Sequence, residues 1–303
     1  MPSTLSYGPD KSRKIPSRRR QSDPRIMTVL QYKYRKADKQ VRLGDRHVHS
    51  RFSCDCRTPE RDVLDAAVKK GLKEICITDH CDIDMGPDWY LPVEEYVTVW
   101  EKLKKEYEDR IDVHIGVEMG LNPEFNDKID AYLASYPFEV VIGSIHTMQG
   151  SDPYYRKDYD CTDREFYRLY FETALERIKN SKGFNVFGHM DYVVRYGYEK
   201  GASYEPEAYA GYIDEILKEI ISRDIALELN TGGLRKGVDF VHPHAYILGR
   251  YKELGGKYLS TGSDAHFADH VGAGLGRAAK VMESFGFDAL SIRPLTNSFG
   301  DIL

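Results

Sequence analysis

Short apolar segments recur along this chain, and nearly every one leads to a polar or ionisable residue. They fall at 41–49, 74–78, 111–117, 138–145, 185–188, 225–229 and 257–261. Helical patterns lie between and after them, at 59–70, 93–109, 162–179, 205–222, 243–254 and 276–285. Strands joined by helical crossovers run parallel. In an open parallel sheet, ligands collect at one crevice. Ionisable residues at almost every strand end instead suit a barrel, whose C-terminal rim carries the chemistry. The seven strand-led units therefore predict an α/β fold, a closed or nearly closed (β/α) barrel. Thr58-Pro59-Glu60 marks the first helix start, with Thr58 as its cap, and Gly71 its stop.

Two domain regions are expected: a flexible basic tail over 1–40 and one domain over 41–303. The tail sets Lys11, Arg13, Lys14, Arg18, Arg19 and Arg20 among Ser, Pro and Gly, with too little apolar content to order itself. Met27 is a second possible start, and no apolar segment follows Arg20 as a twin-arginine export signal requires. The net charge of −5 gives no chain-wide footprint for nucleic acid, and no nucleic-acid partner is expected. No apolar run approaches the roughly 18 residues of a membrane span. The five cysteines are irregularly spaced, and Cys54-Asp55-Cys56 is too tight for a zinc ribbon. A reducing cytoplasm is the expected compartment.

The phosphate-cradling patterns G-x-G-x-x-G and G-x-x-x-x-G-K-[ST] do not open any helix here. The chemistry lies in the strand ends. His47 and His49 share a face if they lie on a strand, so two imidazoles can meet one metal ion. Added to them are Asp55, His80, Glu118, His146, His189, Asp264 and His266. These six histidines and three carboxylates, with no thiolate, suit zinc, manganese or iron. Nine ligands exceed one ion's coordination number, so two or three divalent ions are expected. Such a centre acidifies water and clamps the oxygens of a displacement at phosphorus.

The motifs are R-H-V-H-S with Asp55 after it, I-T-D-H at 77–80, G-V-E-M-G at 116–120, G-S-I-H at 143–146, G-H-M-D at 188–191 and S-D-A-H at 263–266. Together they resemble the PHP (polymerase and histidinol phosphatase) family, and within it the bacterial histidinol-phosphate phosphatase branch, from about residue 45 to 287. The resemblance implies a distorted (β/α)7 barrel with a trinuclear metal centre. It implies that His47, His49 and Asp264 hold one ion. Glu118 would bridge it to a second, held by His146 and His189. Asp55, His80 and His266 would hold the third. Asp55 stands where some members carry histidine. Arg195 and Arg235 resemble the branch's phosphate-binding arginines, and their planar guanidinium groups suit phosphoryl oxygens. The implied reaction is hydrolysis of L-histidinol phosphate, a small phosphorylated substrate, to L-histidinol and phosphate. Glu118 and Asp264, with the two arginines, are the candidate catalytic groups.

Other residues receive more modest readings. His270 is a candidate substrate contact beside S-D-A-H. Asp79 and Asp191 are candidate partners of ligand histidines. Tyr154, Tyr155 and Tyr159 could wall the site. His114, His242 and His244 are expected in packing, capping or surface roles, and Lys236 in solvent. Two other functions remain open: a PHP phosphoesterase acting on nucleotides or nucleic-acid ends, and a non-catalytic metal-binding barrel.

Overall fold

The computed structural model describes residues 44–291 and 293–295. The tail expected over 1–40 lies outside them. The strands are β1 (Asp45–Val48), β2 (Glu74–Ile77), β3 (His80–Cys81), β4 (Asp112–Gly120), β5 (Val140–Ser144), β6 (Val186–Phe187), β7 (Ala226–Asn230) and β8 (Leu259–Gly262). All named pairs are parallel, in the order β1-β2-β4-β5-β6-β7-β8. β3 pairs with the second half of β4, where His80 meets Glu118, while β2 pairs with the first half. The two short strands thus form one interrupted stave beside the long β4. The sheet closes because Val48 bridges Ala265 in parallel. At that seam the Asp264 N–H donates to the His47 carbonyl (2.8 Å), and the His49 N–H to the Ala265 carbonyl (2.9 Å). A barrel of seven staves results, as expected.

The helices are α1 (Glu60–Lys69), α2 (Val93–Tyr107), α3 (Asn126–Leu133), α4 (Asp163–Asn180), α5 (Ala210–Ser222), α6 (Ala245–Glu253) and α7 (Leu275–Ser284). Their apolar stripes face the barrel. α2 buries Tyr96, Trp100, Leu103 and Tyr107, and α5 buries Ile213, Ile216, Leu217 and Ile220. Both sets keep helical spacing, and each large side chain contributes about 1.5–3 kcal/mol on burial. Tyr96 also donates its hydroxyl to the Ile77 carbonyl (3.0 Å) and the Gly116 carbonyl (2.9 Å), tying α2 to two staves.

Period-two alternation along the strands positions the site. Cys76, Val140, Ile142, Val186 and Ala226 form an apolar cluster separate from the main core. Two residues beyond Val186 lies Gly188, and two beyond Ala226 lies Glu228. Ser144 follows Ile142 in the same way, and its hydroxyl donates to Glu118 Oε1 (2.7 Å). The face is therefore apolar first and polar towards the C-terminal rim.

Three expectations need correction. Thr58 does not cap α1: the helix begins at Glu60 with no side-chain cap. The Thr58 hydroxyl instead donates to the His266 carbonyl (3.0 Å), pinning the last ligand loop to the first helix. The helix expected from 205 starts at Ala210, after a 3-10 turn over Pro206–Tyr209. The eight-residue α3 and the two-residue β3 were not foreseen, since both are too short to show a period.

Candidate metal centre and active site

Glu118, near the end of β4, lies at the middle of the cluster and is fully buried. Its Oε1 lies 2.8 Å from His189 Nε2 and 3.2 Å from His146 Nε2. Its Oε2 lies 3.0 Å from His47 Nε2, 3.4 Å from His49 Nε2 and 3.1 Å from His80 Nδ1. One carboxylate therefore faces two sets of imidazoles from its two oxygens. Asp264 Oδ1 is 3.6 Å from His49 Nε2, and Asp55 Oδ2 is 3.1 Å from His266 Nε2. Asp55 Oδ1 reaches towards His80 at 3.8 Å. All nine residues read from the strand ends come together.

The residues fit divalent ions. His47 Nε2, His49 Nε2, His80 Nδ1 and Glu118 Oε2 are buried and make no hydrogen bond. Buried polar atoms are ordinarily satisfied, and three orphaned ring nitrogens gathered round one orphaned carboxylate oxygen are explained by cations between them. Ligand atoms of four triads lie within 4.8 Å of one another: His47–His49–Asp264, His47–Glu118–His189, His80–Glu118–His146 and His49–His80–His266. The first is the set the resemblance implied for one ion. The others distribute His47, His49 and His80 more widely than that assignment.

Partners behind the ligands fix their orientation. His47 Nδ1 lies 2.6 Å from Glu228 Oε1, and Glu228 Oε2 accepts the His189 N–H (2.7 Å). His146 Nδ1 lies 2.7 Å from Asp82 Oδ1. His49 Nδ1 lies 3.0 Å from Ser53 Oγ, whose hydroxyl donates to Asp79 Oδ1 (2.6 Å). In each case donation from Nδ1 leaves Nε2 as the inward lone pair. Asp79 thus acts through Ser53, not on His80 beside it. Asp191 does not face His189: it holds His242, as described below. Glu228 and Asp82 were not among the residues foreseen. Glu228 looks like any polar residue of an alternating strand, and Asp82 follows a strand too short to detect.

The electrostatics agree with a cation site. Burial pushes the Glu118 carboxyl up, but His47, His146 and His80 outweigh it and hold it well below the usual range. Burial likewise raises Asp264, yet His49 and Arg195 bring it well below. His49 is pushed well below the ordinary imidazole value by burial and by His266 and His80. The same charges raise three of the imidazoles: against burial, Glu118 and Glu228 hold His47 well above its ordinary value, Asp82 and Glu118 do the same to His146, and Glu118 and Asp55 bring His80 up to about 9. Protonated imidazoles can therefore balance the Glu118 charge, and a bound cation would take the place of those protons.

Above the cluster opens a cavity of about 520 Å3. Arg195 and Arg235 line it, with Lys236, His270, Tyr154 and Tyr155. Arg195 is buried, with Nη1 and Nη2 each 3.3 Å from Asp264 Oδ2. Arg235 donates to the Ser263 carbonyl and, at 3.1 Å, to the Asp264 carbonyl. Both guanidinium groups are therefore braced by the strand end that carries a ligand. Lys236 lines the cavity and is exposed, in keeping with its solvent reading. Tyr159 does not: its hydroxyl donates to the Met148 and Ser151 carbonyls, at 2.8 and 2.6 Å. The cavity also holds Trp89, Tyr192, Tyr196, Phe267 and Asp152, which the motifs did not indicate. Among the described residues, no helix is long and apolar enough to cross a membrane.

Comparison with known proteins agrees with this architecture. The PHP domain pattern matches residues 45–232. The chain is 33% identical over 254 residues to a histidinol-phosphatase of Lactococcus lactis, covering 82% of this chain and 93% of that protein. It is 35% identical over 244 residues to a probable histidinol-phosphatase of Clostridium acetobutylicum, covering 79% and 92%. Among solved structures it resembles the histidinol phosphate phosphatase of Lactococcus lactis, complexed with zinc, L-histidinol and phosphate. The TM-score is 0.77 at 31% identity, over 86% of this chain and 99% of the other. The strand-end ligands, the closed seven-stave barrel and these relatives together establish that the chain belongs to the PHP domain family.

Proposed function

We propose that this protein is a metal-dependent phosphomonoesterase that hydrolyses L-histidinol phosphate to L-histidinol and phosphate, a step of histidine synthesis. The observation that carries the reading is the convergence of nine ligand-type residues beneath a cavity whose wall holds two braced arginines. The Lactococcus lactis relative, complexed with zinc, L-histidinol and phosphate, supplies the substrate.

The proposed ligands are His47, His49 and Asp264 for one ion and His146 and His189 for a second, with Glu118 between them. Asp55, His80 and His266 are proposed for a third. Zinc, manganese and iron all suit this set. When bound, such ions acidify water and offset negative charge on a phosphoryl group. Arg195 and Arg235 hold the phosphoryl oxygens as charge grows on them. Water adds to phosphorus as the ester P–O bond breaks, and the leaving alkoxide takes up a proton to become the alcohol. Asp152 lines the cavity, within electrostatic reach of His146 and His80, and suits the positive end of an amino alcohol. His270 is placed to contact the same substrate.

Phosphate release from L-histidinol phosphate, beside a panel of other phosphomonoesters and nucleotides, tests the reading when metal content is measured on the same sample. Strong preference for L-histidinol phosphate, with two or three metal equivalents, is the expected result. Activity confined to nucleotides would overturn the substrate. Bound metal with no hydrolysis would leave a non-catalytic barrel.

A further inference from the structure

His242 is the buried histidine of this molecule that the metal cluster does not use. It was expected as a cap or a surface group, but it is 0% exposed, as is Asp191. Its Nδ1 lies 2.6 Å from Asp191 Oδ1. The other carboxylate oxygen, Oδ2, accepts the His244 backbone N–H at 2.8 Å. The second ring nitrogen, Nε2, is buried without a hydrogen-bond partner. It lies beneath Gly233, where an added Cβ would stand 2.4 Å away. An apolar side chain could fill that space without an orphaned ring nitrogen, but it would leave Asp191 Oδ1 unpaired. What the imidazole adds is the bond to Asp191.

That bond joins two particular pieces of chain. Asp191 immediately precedes the 3-10 turn Tyr192–Tyr196, which carries Arg195, and its carbonyl accepts the Val194 N–H at 3.1 Å. His242 is bridged to Asn230 by two backbone hydrogen bonds of 2.8 and 2.9 Å. Asn230 leads into the turn Gly232–Arg235, and its side chain accepts the Gly232 N–H at 2.8 Å. One turn presents Arg195 and the other Arg235. We propose that the buried Asp191–His242 pair sets the spacing of these two turns and so positions the two arginines on one phosphoryl group. His242 and Asp191 are positioning residues here, since neither lines the cavity. This inference rests on the reading of Arg195 and Arg235 as phosphoryl binders.

The test is binding of inorganic phosphate to the metal-loaded, full-length protein by calorimetry, with KM and kcat measured on any phosphomonoester the wild type turns over. His242→Phe fills the space but cannot donate. It should weaken phosphate binding and raise KM by about tenfold or more, the scale of a small misplacement. kcat should fall as well, since the same arginines meet the charge that grows in the transition state, and metal content should stay at the wild-type level. His242→Asn, whose amide can donate to Asp191 from near the Nδ1 position, should recover most of the loss. Unchanged phosphate binding in folded His242→Phe, or equal impairment in both variants, would overturn the proposal. If His242→Phe does not fold, Asp191→Leu, which removes both acceptor oxygens, serves in its place, and unchanged phosphate binding there overturns the proposal equally. Arg195→Ala separates the two levels of argument. If it leaves phosphate binding intact, the arginine reading itself is wrong. Failure of the wild type on L-histidinol phosphate alone removes the substrate and leaves this inference standing.

Discussion

His47 Nδ1 and Glu228 Oε1 lie 2.6 Å apart, and both side chains are sealed from solvent. The contact turns His47 so that its other nitrogen faces Glu118 at 3.0 Å. Glu228→Gln should therefore lower metal affinity by about 10–100-fold, the usual effect of losing such a partner. Competition with a chelator, read by metal analysis, checks this; wild-type retention would show that the ring is held by packing alone.

Asp264 has a left-handed backbone, with φ of 55°. Aspartate and asparagine tolerate that conformation better than other side chains with a Cβ. Asp264→Asn should thus keep the fold while losing a ligand charge, and Glu118→Ala should behave likewise. Turnover should drop by at least about 10²-fold, with far-UV circular dichroism unchanged. Near wild-type rates in either variant would remove the proposed centre.

Arg195 presents two nitrogens to one oxygen of Asp264, Oδ2, and lysine cannot reproduce that planar fork. Hydrogen bonds to charged groups are worth about 1.5–3 kcal/mol. Arg195→Lys should accordingly lose about 10–100-fold in kcat/KM. Full activity in the lysine variant would mean that only net charge matters there.

Asp152 should discriminate among substrates. Asp152→Asn is expected to lower kcat/KM for L-histidinol phosphate by about tenfold, the worth of one charged hydrogen bond. The rate on 4-nitrophenyl phosphate, which has no cation, should hold. A parallel fall on both esters would make Asp152 a structural group.

Stability at acid pH has a separate source on the other side of β4. Burial pushes the Glu139 carboxyl up, but His114 and Lys104 outweigh it and bring it down to about 2. Lys104 Nζ lies 2.7 Å from its Oε1, and His114 bonds its Oε2. A depressed carboxylate stabilises the fold above the unfolded value near 4.5, and that contribution is lost as the pH falls from there towards 2. Urea midpoints of wild type and Glu139→Gln should differ at pH 7, draw together as the pH falls below about 4.5 and converge only near pH 2. A constant gap across that range would contradict the linkage.

The candidate ligands were legible because a polar residue at a strand end interrupts an apolar run, and six such interruptions are histidines. The groups behind them were not. Glu228 sits between Leu227 and Leu229 in ordinary alternation, and nothing local says that its face points to His47. His242 was read as a cap because it flanks Pro243 at a helix start. The cap is in fact His244, whose ring accepts the Tyr246 N–H at 3.2 Å. The backbone bridge to Asn230, on the far side of an intervening turn, and the bond to Asp191, distant in sequence, turn His242 inward. The barrel itself was readable from the alternation, while its closure depended on a bridge of Val48 to Ala265, which no local pattern encodes.

That seam bears on how the molecule is made. Asp45 accepts hydrogen bonds from the Ser263 amide and hydroxyl, 218 positions away. His47 and His49 leave the ribosome early, but Asp264 and His266 emerge only after most of the chain. Contacts so far apart form late, because the loop they close is long. A nascent chain therefore has no complete metal pocket to act as a nucleus for its early folding. A product truncated before residue 264 lacks two of the nine candidate ligands, Asp264 and His266, and also the Ala265 bridge that closes the barrel.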